Sequence, residues 1–303
     1  MHSLVSVIIP SFNRADLLPR AIDSVLVQTY AEIECIVVDD GSTDKTNELI
    51  NSIEDDRLIY MRHESNKGAS AARNTGIKHS KGSLIAFLDD DDEWLPTKLE
   101  KQVPFLQSKD EKVGMVYCWM DYFDENQQLI EEHHPILSGN VFPHLLDAQR
   151  LGGCPTLLVR REVIDNVGKF DENLRRGNDG DFIRRVCQQY HVDFLPEVLV
   201  RVHVDHGRNR ISDENKESIE QVIQSLRVRF DRFPDEIKQF PVQAASICAY
   251  IASNYASIGE TWKSIFWSFK AIARSPLNLE IYIRTFRLFR NHLSFSNRTI
   301  KHQ

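Results

Sequence analysis

Apolar and polar positions fall in blocks along the first 120 residues. Short, near-continuous apolar runs recur at 5–9 (VSVII), 34–38 (ECIVV), 58–60 (LIY), 84–88 (LIAFL) and 113–119 (VGMVYCW). Runs of this length, rich in Val and Ile and closed by turn residues, read as buried strands. The stretches between them carry apolar residues near helical spacing. They predict helices over 17–28, where Leu17, Leu18, Ala21, Ile22, Val25 and Leu26 recur, and over 43–53, 69–79 and 96–107, the last with Pro96 in its first turn. Apolar strands separated by helices predict an α/β protein: a mainly parallel sheet flanked by helices on both faces. Ligands of such sheets bind beyond the carboxyl ends of the strands.

Two of those carboxyl ends are acidic. The run 84–88 leads straight into Asp89-Asp90-Asp91-Asp92-Glu93-Trp94. Repulsion makes four adjacent carboxylates costly unless water or a cation surrounds them. On the residues alone, two readings stand: a solvated acidic turn, and a site for Mg²⁺ or Mn²⁺ bound together with substrate phosphates. The run 34–38 leads into Asp39-Asp40-Gly41-Ser42-Thr43-Asp44. A carboxylate there can accept from a base N–H or a ribose hydroxyl, although Asp-Gly-Ser is also ordinary turn chemistry. The segment NKGASAARNTG (66–76) places Arg73 about one turn into its helix. An arginine so placed can fork onto a diphosphate or lie on the helix surface.

Composition narrows the class. A length of 303 residues fits one large domain or two modest ones, and 42% hydrophobic with 27% charged residues is ordinary for a soluble globular protein. A net charge of −7 argues against a general nucleic-acid binder. The charge is uneven: residues 261–303 carry +7, leaving −14 on residues 1–260. The basic, aromatic stretch from Ile265 to Phe295 reads either as a surface for anionic lipid or as a helical packing module with a solvated basic face. The five cysteines are scattered and show no CxxC pair, which suits buried thiols in a reducing compartment. The N-terminus lacks a basic leader, its apolar run stops at Pro10, and no apolar stretch approaches a membrane span. These features predict a cytoplasmic protein, with residues 261–303 as the route to peripheral contact at the inner face of the cell membrane.

Five pieces, taken in order and spacing, resemble the family 2 glycosyltransferases with the GT-A fold. They are VSVIIPSFN (5–13), Gln28-Thr29-Tyr30, VVDDGSTD (37–44), NKGASAARNTG (66–76) and FLDDDDEW (87–94). The resemblance covers roughly residues 4–210. It implies a GT-A fold and a nucleotide-sugar donor, a UDP-sugar foremost. It also implies transfer of a hexose-type sugar, with inversion, to a hydroxyl acceptor such as a growing glycan or a lipid-linked one. It makes Pro10, Ser11 and Asn13 the loop along the nucleoside, Asp40 the uracil-binding residue and Arg73 the contact to the donor phosphates. Asp89, Asp90 and Asp91 match the DxD segment, with Asp91 as the ligand of Mn²⁺ or Mg²⁺.

The second half extends the resemblance. GKFDENL (168–174) is similar to the family's G-x-F-D-E-x-L turn. In GNDGDF (177–182), Asp179 matches the family's catalytic base, while Asn178 replaces the acidic neighbour that often precedes it. The residues themselves leave another reading open: Asn178 as a helix N-cap, with Asp179 and Asp181 favouring the first turn of the helix. Asp181 is taken as structural. In RVHVDHGRNR (201–210), His203 is expected near the donor phosphates and Arg208 or Arg210 over the diphosphate. A metal pair of His203 with His206 is the alternative there.

The expected organisation is a glycosyltransferase domain over 1–210 and a helical extension over 211–303, with helices near 214–230 and 242–255. A different class, a non-catalytic nucleotide-sugar-binding or scaffold protein on the same fold, could lose Asp179 or Asp91, and both are present. A nicotinamide dehydrogenase is disfavoured because Ser11-Phe12-Asn13-Arg14 follows the first strand in place of its glycine fingerprint. A nucleotidyltransferase would bring a glycine-rich, basic loop at that point.

Overall fold

A computed structural model describes residues 3–204 and 215–278. The chain forms two compact units, residues 1–142 with 149–208, and residues 143–148 with 209–303. His206, Arg208, Arg210 and the tail beyond 278 lie outside the described residues.

The first unit runs β1 (Val5–Ser11), α1 (Leu18–Leu26), β2 (Ile33–Asp39), α2 (Thr46–Asn51), β3 (Leu58–Arg62), α3 (Ala69–His79), β4 (Leu84–Phe87), β5 (Glu93–Trp94), α4 (Lys98–Gln107), β6 (Val113–Phe123) and β7 (Leu129–His133). The chain then makes the one-turn α5 (Phe142–Leu145), all but its first residue belonging to the second unit. The first unit closes with a 3₁₀ turn (Cys154–Thr156), β8 (Leu158–Arg160), α6 (Arg161–Val167), α7 (Asn178–Gln189) and β9 (His191–His203). The sheet order is β3-β2-β1-β4-β8-β6-β9-β5, with β7 on β6.

The strands β3, β2, β1 and β4 pair in parallel, as alternating strands and helices require. Beyond β4 the sheet is mixed: β8 is antiparallel to β4 and β6, β6 and β9 are parallel, and β5 and β7 are antiparallel additions. The change coincides with the end of the strand–helix alternation. Between β6 and β8 the chain makes a hairpin, the one-turn α5 and the 3₁₀ turn, with no crossover helix to carry it back to the same end of the sheet.

Burial follows the apolar runs. All seven residues of β1 and of β2 are buried. Helix α1 covers the sheet with Leu18, Ala21, Ile22 and Val25. Helix α3 approaches β1 so closely that a Cβ on Gly76 would stand 2.5 Å from Ile8 Cγ2. Two helices start two or three residues later than predicted. Asp44 accepts from Thr46 N at 3.0 Å and holds residues 43–45 in a turn before α2. Thr29 N donates to Pro96 O at 2.9 Å, which keeps Pro96 in the turn that precedes α4.

The second unit contains α8 (Lys216–Arg232), α9 (Pro234–Gln239), α10 (Pro241–Ser257) and α11 (Thr261–Arg274). Asn215 caps α8 by accepting from Ser218 N at 2.8 Å. Helix α10 buries small residues, Ala244, Ala245, Cys248, Ala249 and Ala252, against which α11 lays Ser264, Trp267, Ser268 and Ala271. Small side chains at that seam let two helices approach closely. All five cysteines are buried free thiols. Among the described residues, no helix is long and apolar enough to cross a membrane.

Candidate active site

The ends of β1, β2 and β4 meet on one side of the sheet, because β1 pairs in register with both neighbours. The loop after β1 is fixed from β2: Asp40 N donates to Ser11 O at 2.8 Å, Asn13 N to Ser42 Oγ at 2.9 Å, and Thr43 N to Asn13 Oδ1 at 2.8 Å. Asn13 takes a left-handed φ of 53°, which Asn tolerates better than most residues. Gly41, at φ 81°, passes so near Ser65 that a Cβ would lie 2.7 Å from its carbonyl carbon. These bonds hold Pro10, Ser11 and Asn13 as one rigid edge.

The two aspartates of this turn have separate partners. Asp39 is fully buried and accepts from Ser42 N and the Tyr60 hydroxyl, each at 2.7 Å. It closes the turn. Asp40 accepts from Gly68 N at 2.6 Å, from Lys67 N at 2.9 Å and from His63 Nδ1 at 2.7 Å. It thereby ties the strand end to the amino end of α3, whose first N–H groups have no intrahelical acceptor.

Arg73 reaches from α3 to the acidic run. Its Nη2 donates to Asp89 Oδ1 at 2.6 Å, and its guanidinium carbon lies 5.4 Å from the Phe170 ring centroid. Burial works against this charge, but Cys154, Asp89 and Asp179 more than restore it, and the pKa is raised. The Arg73 Nε–H is buried and has no partner. A second arginine lies on the other side of the run. Arg14 Nη1 is 3.3 Å from Asp90 Oδ1 and also bonds Asp91 Oδ2, while Arg20 Nη2 donates to the Asp91 carbonyl. Burial pushes the Asp90 carboxyl up to about 7, Arg14 pulls it down, and Asp91 adds to the rise. The run is therefore no solvated turn: Asp90, Asp91 and Asp92 are all buried.

Asp179 joins this group from α7. It is half-buried, and its charge acts on both Asp89 and Arg73. Gly177 at φ 69° precedes the helix, so Asn178 is its first residue and does not cap it. Asn178 Nδ2 instead donates to Ser70 Oγ on α3 at 3.0 Å. The preceding turn is locked by Asn74, whose amide donates to Phe170 O and accepts from Phe170 N, both at 2.9 Å. Phe170 stacks on Phe182 at 4.6 Å and meets Phe87 edge-on at 5.2 Å. Asp181 pairs with Arg185 at 3.0 Å, a bond within its own helix.

His203 ends β9 in a different setting. It is buried, its Nε2 is 3.2 Å from Glu93 Oε2, and burial with Arg20 nearby lowers its pKa. Arg20 thus bonds the Asp91 carbonyl and acts on His203 through its charge.

The profile described as "Glycosyl transferase family 2" matches residues 6–168. This chain belongs to glycosyl transferase family 2. An uncharacterized glycosyltransferase of Rickettsia felis is 34% identical over 218 residues, which cover 71% of the family 2 chain described here and 35% of the relative. The chain therefore spans about a third of that relative's length. WfaP of Escherichia coli, a UDP-Glc:alpha-D-GlcNAc-diphosphoundecaprenol beta-1,3-glucosyltransferase, is 43% identical over 127 residues, 42% of this chain and 49% of its own. The mannosyltransferase PcManGT from Pyrobaculum calidifontis, solved with GDP-Man and Mn²⁺, aligns over 97% of this chain and 88% of its own, with a TM-score of 0.57 at 17% identity. That likeness shows the GT-A fold.

Several of this family 2 chain's polar contacts have no counterpart in the motif reading. Arg14, Arg20 and His63 lie one loop or one strand away from the motifs, and Glu93 is the last acid of the run. Of these, Arg14, adjacent to Asn13, and Glu93, inside FLDDDDEW, carry a local signal. Among the described residues no three His, Cys, Asp or Glu side chains converge to hold a metal ion. One or two carboxylates suffice for Mg²⁺ or Mn²⁺ when substrate phosphates supply other ligands. Asp91 already holds a cation, the Arg14 guanidinium, so its chemistry fits that role.

Proposed function

We propose that this chain is an inverting glycosyltransferase that moves a hexose-type sugar from a nucleotide-sugar, a UDP-sugar first, to a hydroxyl acceptor. The observation that carries the reading is the Arg73–Asp89 bond of 2.6 Å in an acidic run whose Asp91 holds a guanidinium, with the charge of Asp179 acting on both Arg73 and Asp89. In this reading Asp179 is the carboxylate base, Arg73 the arginine for phosphate and Asp91 the cation-binding carboxylate. We assign this work to residues 1–210 and treat 211–303 as an extension.

In this reading the edge formed by Pro10, Ser11 and Asn13 lies along the nucleoside. Asp40, held by His63 and the amino end of α3, is the residue that binds the uracil. Arg73, with one free buried N–H, offers a donor to the diphosphate. Asp91, with Asp89 and Asp90 beside it, would hold Mn²⁺ or Mg²⁺, which supplies neutralisation of the departing diphosphate charge. Asp179 takes the acceptor hydroxyl's proton as that oxygen attacks the anomeric carbon. A single base and direct displacement give inversion. His203, held by Glu93 at the end of β9, is the contact to the donor phosphates.

The WfaP relative's lipid-linked acceptor supports a lipid-linked acceptor here, within cell-surface polysaccharide synthesis. The second unit supports contact with an anionic membrane: Trp262, Phe266 and Phe269 are exposed along α11, next to Lys263, Lys270 and Arg274. A hydrolysis and transfer screen over UDP-, GDP- and dTDP-sugars with Mn²⁺ or Mg²⁺ tests the function. Turnover with one donor supports it; binding without turnover on any donor and acceptor would leave a nucleotide-sugar-binding protein.

A further inference from the structure

Arg14 is bound where a divalent cation would have to act. Its backbone is fixed at the entrance to α1, since Arg14 O accepts from Leu17 N and Leu18 N, both at 3.0 Å. Its side chain, 18% exposed, bridges Asp90 and Asp91. Asp91 Oδ2 carries the closer bond. An oxygen that accepts from a guanidinium cannot also lie 2.0–2.6 Å from a divalent ion without placing two positive centres in repulsion. The guanidinium and the ion therefore compete for the same carboxylate.

We propose that Arg14 is a tethered cation that holds Asp91 until donor arrives, so that metal enters with the nucleotide and poorly without it. The proposal rests on the reading of Asp91 as the metal ligand. The competition is set by charge. Ion alone must displace Arg14 from both aspartates and gains only their oxygens. Ion with a nucleoside diphosphate brings further ligand oxygens and negative charge, which can also receive the released guanidinium. Arg14 lies next to Asn13, on the loop assigned to the nucleoside, so donor and guanidinium meet at one place. Arg20, bonded to the Asp91 carbonyl, keeps the acidic loop in position during the exchange.

The test is Mn²⁺ binding to the full chain, followed by electron paramagnetic resonance, without nucleotide and with UDP. Removal of a unit charge in direct contact with the ligand should matter by at least about tenfold. Arg14→Gln is expected to tighten Mn²⁺ binding by that factor without nucleotide, and the gap to the wild type should narrow when UDP is present. Arg14→Lys, which keeps a cation, should stay near the wild type. Thermal melts confirm that each variant is folded. Equal Mn²⁺ affinity of wild type and Arg14→Gln, with Asp91→Asn still weakening Mn²⁺ binding in the presence of UDP, overturns the role of Arg14 and leaves the metal reading standing. Absence of Mn²⁺ binding in wild type and Arg14→Gln, with and without UDP, overturns the metal reading and this inference with it.

Discussion

At Asp179 the decisive change is one oxygen for one nitrogen. Asp179→Asn keeps the volume and leaves an oxygen to accept from Gly180 N, now at 2.7 Å, but removes the basicity. Transfer to acceptor should fall by roughly 10²–10⁴-fold, the usual contribution of a positioned base, while UDP binding by calorimetry stays within a few-fold. Wild-type transfer would reassign Asp179 to the helix terminus. A second residue offers a test of stability. Lys98 is fully buried, its Nζ 2.7 Å from Gln102 Oε1 and 3.8 Å from the Trp94 ring centroid. Burial pushes its pKa down from 10.5 to about 8. Between those two pH values the unfolded chain holds the proton and the folded one does not, so stability rises with pH there. Below pH 8 the buried charge costs on the order of 3 kcal/mol. The stability of wild type minus that of Lys98→Met should therefore increase by about 3 kcal/mol from pH 7.5 to 10.5 in urea titrations. A flat difference would show that Lys98 is not strained by its charge.

Between elements, Gly76 sets how α3 meets β1, and two effects oppose each other there. Alanine is the better helix former by up to about 1 kcal/mol. Its Cβ would stand 2.5 Å from Ile8 Cγ2 in a fully buried strand, and overpacking of this kind costs about 1–3 kcal/mol. Packing wins, so Gly76→Ala should lower the urea midpoint with an unchanged slope; a higher midpoint would mean that α3 can shift outward. The same contact explains what the sequence could reveal. Buried β1, β2 and β4 follow from their runs, because burial on both faces leaves an apolar signature. Strand β7 is mostly exposed and acid-rich (LIEEH), and β5 has only two residues, so neither leaves one. At the site, Arg73, Asp89 and Asp179 were legible as parts of a joint pattern. The partners that hold the motifs were not: His63 on Asp40, Arg14 and Arg20 on Asp91 and Glu93 on His203 join residues 23 to 110 positions apart, and no local spacing encodes such pairs. The Asn178 cap failed for a local reason, since the left-handed Gly177 takes the position before the helix.

Over the whole molecule, charge is separated along the chain: +7 on residues 261–303 against −14 before them. An anionic surface repels the larger part, so attraction to it must act at short range and through that segment. Helix α11 supplies the described portion of it. The helix buries Trp267 and Ala271 against its own unit and exposes Trp262, Phe266 and Phe269 at spacings of four and three, one side of a helix. Lys270 lies 5.2 Å from the Phe266 ring centroid, so basic groups border the aromatic row. Each basic residue near an anionic bilayer contributes about 1 kcal/mol, and the contribution fades within a Debye length of about 10 Å at 0.1 M salt. Weak binding that salt removes is the expected behaviour. Deleting α11 would uncover the small-residue seam of α10 and confuse binding with folding. Replacing the three exposed aromatics by serine leaves the buried face intact. The full chain should pellet with phosphatidylserine vesicles at low salt and remain in the supernatant at 0.5 M salt, whereas Trp262→Ser/Phe266→Ser/Phe269→Ser should pellet far less at low salt, with an unchanged thermal melt. Pelleting equal to wild type in the triple variant would move the contact away from α11, and no pelleting of the wild type at low salt would make this face a site for protein or packing.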